Sequence, residues 1–74
     1  MEKVKTVCGY DIFKLTAREC HNKGKAFPTY VVFVEGENYD TAGFPEEEAD
    51  SLAMACNYCE KYPTRKWEEE INDL

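Results

Sequence analysis

The clearest strand pattern in the chain is Thr29-Tyr30-Val31-Val32-Phe33-Val34, entered from Pro28. β-Branched and aromatic side chains dominate it, and these suit a pleated backbone. Tyr30, Val32 and Val34 alternate with Val31 and Phe33, so both sides are apolar and the pattern predicts a strand covered on both faces. Glu35-Gly36-Glu37-Asn38 follows with turn chemistry, because Gly36 and Asn38 tolerate positive φ. Residues 39–44 are then expected to return antiparallel and complete a hairpin.

Gly43-Phe44-Pro45-Glu46-Glu47-Glu48 has the features of a helix start, with proline at the first position and carboxylates in the first turn. Ala49, Leu52, Cys56 and Cys59 are spaced three, four and three, with Ala53, Ala55 and Tyr62 flanking. That is one face of a helix over about 46–62. It should stop at Tyr62-Pro63, since the residue before a proline is pushed out of α geometry. Thr64 can cap a short C-terminal helix carrying Trp67, Ile71 and Leu74 on one side. This tail either folds back and adds its tryptophan to the core or docks elsewhere.

Nearer the N-terminus, Lys3 to Cys8 alternates like a strand. Residues 11–22 admit three readings. They can extend that strand, or form a helix with Ile12, Phe13, Ala17 and Cys20 on one side and Gly24 as its stop. The third is a short turn started at Ala17 by the capping box Thr16-Ala17-Arg18-Glu19. Under each, the expected fold is α+β in a single small domain, residues 1–74. It is a three-stranded antiparallel sheet packed on one main helix, with a short C-terminal helix.

Composition makes this core thin. Leu, Ile, Val and Phe supply only 14 of 74 residues at a net charge of −6, which borders on the disordered class. Ten aromatic residues and four cysteines argue for a folded chain, because aromatic rings bury large areas. A domain this small buries only roughly 60% of its unfolded surface. It should therefore lean on a partner, a second copy or a metal. One main helix also covers only one sheet face, so either Tyr30, Val32 and Val34 or Val31 and Phe33 should stay partly open. Tyr39 or Phe44 would extend that patch unless the tail or another chain covers it.

Charge is divided along the chain. Residues 1–34 carry six basic side chains against three carboxylates, +3; residues 35–74 carry three against twelve, −9. An acidic half repels phosphate backbones, so direct nucleic-acid binding is not expected, and a basic protein surface is the natural partner. No apolar run approaches the ~20 residues of a membrane helix. The N-terminus lacks a signal-peptide pattern, so a cytoplasmic location with reduced thiols is expected.

Cys56-Asn57-Tyr58-Cys59 has the spacing of half a zinc site or a redox pair, and Cys8, Cys20 or His21 could complete four ligands. Its place in mid-helix, after at least ten helical residues, favours small core thiols instead, and no metal or cofactor is expected. His21 beside Asn22-Lys23-Gly24 has the setting of a solvated loop residue. Ser51 lacks an elbow motif, and the four glycines form no phosphate loop. Catalysis is not expected.

The acidic runs remain: Glu46, Glu47, Glu48 and Asp50, then Glu68, Glu69, Glu70 and Asp73. They can be solvated helix faces that keep a small domain soluble. Combined with a partly open aromatic face, they suit a protein interface, with the acidic residues, Tyr30 and Trp67 as its contacts. In size, solitary domain and acidity the chain looks like the small phage-encoded inhibitors that block CRISPR nucleases and other bacterial defence enzymes. That resemblance is one of type. It implies an inhibitor or nucleic-acid mimic occupying a basic protein surface. The alternatives are a zinc-stabilised mini-domain using Cys56 and Cys59 with Cys20 and His21 or Cys8, and an obligate homodimer.

Overall fold

The computed structural model describes residues 1–67. In chain order these form β1 (Glu2–Val7), β2 (Tyr10–Lys14), α1 (Ala17–Asn22), β3 (Tyr30–Val34), α2 (Tyr39–Ala42), β4 (Glu47–Ala49) and α3 (Leu52–Lys61). The class is α+β, with four antiparallel strands side by side in the order β1-β2-β3-β4 rather than the three expected.

β1 and β2 are joined by the two residues Cys8 and Gly9, both at positive φ (+50° and +87°), with Val7 opposite Tyr10. Turns with two positive φ values match the strand twist and dominate tight hairpins. Glycine is required at the second position for space as well. A Cβ there would lie 2.0 Å from Thr64 Oγ1 and 3.0 Å from Trp67 Cβ, so residues 64–67 close directly over this turn. Trp67 thus folds back on its own chain, half-buried, and its N–H donates to Thr64 Oγ1 at 3.2 Å, the expected cap.

Residues 11–22 follow the capping-box reading but do not extend the first strand, because the chain reverses at Cys8-Gly9 and residues 10–14 form a separate antiparallel strand. The first part is β2, and the Thr16 capping box starts α1. Thr16 Oγ1 accepts from Glu19 N–H at 3.1 Å, and Glu19 Oε1 accepts from Thr16 N–H at 2.9 Å. The same Glu19 oxygen lies 2.8 Å from the Met1 ammonium, which ties the start of β1 to α1.

Two expected elements differ. Residues 39–44 do not return as a strand. Asn38 Oδ1 accepts from the N–H groups of Asp40 and Thr41 and caps α2, so the chain turns helical there. The helix over 46–62 is shorter than expected. Ser51 caps it, and Glu47-Glu48-Ala49 pairs with β3 as an edge strand instead. Pairing satisfies the backbone groups on the second side of β3, a long-range gain that no local helix signal carries. The helix still ends before Pro63, at Lys61.

These differences explain why the centre of the sheet is covered on both faces. Ile12, Val32 and Tyr10 face α3, packing with Ala49, Ala55 and Cys59. Val31 and Phe33 face the other way, onto Leu15, Cys20 of α1 and Tyr39 of α2. Val31, Val32 and Phe33 are all fully buried, so β3 is covered on both faces. The two short helices close the Val31 and Phe33 side, whereas in the other set Tyr30 is half-buried and Val34 stays 39% exposed, and Phe44 is 76% exposed.

Among the described residues Asp11 is the one buried acid, 4% exposed. Its Oδ1 accepts from Thr6 Oγ1 at 2.7 Å and its Oδ2 from Gly36 N–H at 3.0 Å. One side chain therefore links β1, β2 and the turn after β3. Asp11→Ala removes both charge-assisted hydrogen bonds and is expected to cost about 2–4 kcal/mol, a large share of a small domain's stability. Asp11→Asn should cost clearly less, and urea midpoints of the two variants would check this order.

Glu19 gives a pH signature. The hydrogen bond from the Met1 ammonium, then those from Thr16, lower its pKa from 4.5 to about 2. A lowered folded-state pKa stabilises above the unfolded value, so this contribution is intact above pH 4.5 and fades as pH falls toward 2. Melting curves of wild type and Glu19→Gln are expected to converge over that interval and to differ above it.

Candidate functional site

The acidic residues 46–50 sit at an edge of the sheet. Glu46 N–H already donates to Val32 O at 2.8 Å, and β4 continues the pairing with Glu47 opposite Val32 and Glu48 opposite Val31. Successive strand residues point to opposite faces. The run is therefore divided, where a helix would have gathered it on one surface. Glu48 shares the side of Val31, where Lys25 Nζ meets Glu48 Oε2 at 2.5 Å. That hydrogen bond raises the Lys25 pKa. Glu47 shares the side of Val32 and faces α3.

Glu46, Glu47, Glu48 and Asp50 are all exposed. Among the described residues, no ion pair reaches Glu46, Glu47 or Asp50. The predicted contacts Glu68, Glu69 and Glu70 lie outside the described residues. Trp67 is not beside the carboxylates of β4. It lines a cavity of about 60 Å³ with Gly9, Val34, Glu35, Thr64 and Lys66, at the β1–β2 turn.

Sequence reasoning missed a tyrosine cluster next to this edge. Tyr58 and Tyr62 are four residues apart at the end of α3, the spacing that makes helical neighbours, and that spacing was the available signal. Their ring centroids are 5.2 Å apart at 50°. Tyr10 comes from β2 to lie 5.9 Å from Tyr58 at 60°, and its hydroxyl donates to Tyr62 O at 2.6 Å. Tyr10 is buried and Tyr58 half-buried, whereas Tyr62 is 52% exposed. Burial raises the Tyr58 pKa, and the nearby carboxylates of Glu46 and Glu47 add to it. Burial is also the main cause at Tyr10, followed by Tyr58 and Glu46. Glu46 and Glu47 therefore act electrostatically on Tyr58, whose ring in turn neighbours that of Tyr62.

The cysteines are placed differently from a metal site. Cys59 is buried and Cys56 half-buried on the α3 side, whereas Cys20 belongs to the core on the opposite face of the sheet. His21 is exposed in the last turn of α1 rather than in a loop. The sheet thus separates Cys20 from the Cys56/Cys59 pair. Cys8 is half-buried in the β1–β2 turn. Among the described residues no three histidine, cysteine or acidic side chains come together to hold a metal ion. Burial, then the neighbouring Cys56 and Cys8, pushes the Cys59 thiol up to about 11. With only thiolates reactive, native protein treated with iodoacetamide near pH 7.5 should leave Cys59 and the buried Cys20 unmodified. Mass spectrometry should show up to two labels in the folded state and four in denaturant.

No family model matches this chain, and no curated protein or solved structure shows detectable similarity to it. Among the described residues no helix is long and apolar enough to cross a membrane.

Proposed function

We propose that the protein is a non-enzymatic binding module whose acidic sheet edge engages a basic surface on another protein. The observation that supports this reading best is the exposed Glu46 and Glu47, free of ion pairs among the described residues and acting on the half-buried Tyr58, beside which Tyr62 is exposed. Carboxylates steer a basic partner and raise the association rate, while aromatic rings supply contact area that charge alone lacks. A partner whose basic surface ordinarily holds nucleic acid would be blocked competitively. This is the manner expected of the phage-encoded anti-defence inhibitors that the chain resembles in type. Direct nucleic-acid contact through this edge is disfavoured by the same charge.

The test compares wild type with Glu46→Lys/Glu47→Lys and with Glu35→Lys/Glu37→Lys, which changes net charge equally at a site before α2. Each is immobilised and presented with the basic protein fraction of a bacterial extract at rising salt. Partners retained by wild type should dissociate steeply with salt. They should be lost with the edge variant, by about tenfold or more in association rate, and kept by the control. Equal loss from both variants would show that net charge alone matters and would overturn a specific acidic edge.

A further inference from the structure

The end of α3 combines several features that each favour a positive charge. Tyr58 and Tyr62 lie tilted at 50°, not stacked flat, and Tyr10 is tilted at 60° to Tyr58 behind them. Tyr62 is 52% exposed, and the quadrupole of an aromatic face attracts cations. α3 runs for ten residues before ending at the Tyr62 cap, so its negative dipole end falls at the cluster. Glu47 shares the α3 side of the sheet, and Glu46 and Glu47 both lie near enough to Tyr58 to raise the cost of ionising its phenol. The chain already places a cation of its own here: Lys61 Nζ is 5.5 Å from the Tyr62 ring centroid.

We infer that Tyr58 and Tyr62, with Glu46 and Glu47 beside them, form a recognition site for an arginine side chain of the basic partner. This rests on the protein-binding reading above and names the group by which that partner is held. Arginine fits better than lysine because its flat guanidinium stacks on a ring while its N–H groups pair with a carboxylate in the same plane. A weakly hydrated guanidinium also loses less on leaving water than an ammonium does. The incoming arginine would displace Lys61, whose compact ammonium returns to water. Tyr10 holds the site in place. Its hydroxyl fixes the Tyr62 carbonyl, so the α3 end is pinned to the sheet before a partner arrives.

The experiment titrates the full chain with tetra-arginine amide and with tetra-lysine amide, following tyrosine ring resonances by NMR. Wild type should bind tetra-arginine more tightly than tetra-lysine, with the largest shifts at Tyr58 and Tyr62. Tyr62→Leu keeps an apolar side chain at a 52%-exposed position but removes the π face, and should weaken arginine binding about two- to five-fold. Tyr62→Phe should retain it. Phe44→Leu, at an aromatic 76% exposed before β4, should change nothing. Suppose both peptides bind equally, Glu46→Lys/Glu47→Lys abolishes binding, and Tyr62→Leu does not weaken it. The arginine site is then overturned while the acidic-edge reading stands. Absence of binding by either peptide overturns both. If Tyr62→Leu loses its folded spectrum, the arginine-over-lysine preference and the ring shifts of wild type decide the matter.

Discussion

Burying β3 on both faces is the constraint on which the rest of the structure depends. Val31, Val32 and Phe33 are consecutive and fully buried, so they need cover above and below the sheet and pairing at both edges. Each such side chain contributes roughly 1.5–3 kcal/mol when fully removed from water. In so short a chain, that requirement claims almost every other element. α3 covers Val32; Leu15, α1 and α2 cover Val31 and Phe33; β2 and β4 supply the pairing. Asp11 then fixes the turn after β3 to the first two strands with two hydrogen bonds.

The requirement was legible in the chain even where its solution was not. Residues 30–34 are apolar in both alternating sets, which already implies double cover. The local capping signals at Thr16, the stop at Pro63 and the Thr64 cap were likewise readable, because each depends on atoms within a few residues. β4 was not readable. Pro45 followed by three glutamates has the composition of a helix start, and only pairing with β3, thirteen or more positions away, makes it a strand. The same is true of residues 39–42, where Asn38 competes for the backbone as a cap and both sides of β3 are paired with β2 and β4. Turn residues were visible, but their outcome depended on which edge of β3 was already taken.

The candidate site followed the same division. Its carboxylates stand out in the sequence, but their grouping onto a single face presumed helical geometry. Strand geometry splits them, sending Glu48 to Lys25 on one side and Glu47 toward the tyrosines on the other. The Tyr10–Tyr62 link joins positions 52 apart and lies beyond any periodicity argument. Cys56 and Cys59 were correctly placed on the core side of their helix. What the spacing could not show is that the sheet stands between them and Cys20.

Edge strands are exposed templates for unwanted pairing, and charged residues and bulges are the usual protection. Both edges of this sheet carry them. β1 has Lys3 and Lys5 with a register shift between them, and β4 has Glu47 and Glu48 and is only three residues long. The two edges nevertheless differ in a way that protection alone does not require. The charges of β1 lie on a strand exposed almost throughout, whereas Glu47 of β4 lies on the side of the half-buried Tyr58 and acts on its phenol. Carboxylates near phenol rings raise the cost of ionising those phenols, and in return the rings and carboxylates together favour a cation. Protection against self-pairing is served equally by either sign of charge. Placement beside π faces and a negative helix end serves only a positive ligand. That asymmetry between two otherwise comparable edges is the physical reason for proposing recognition at β4 and the end of α3.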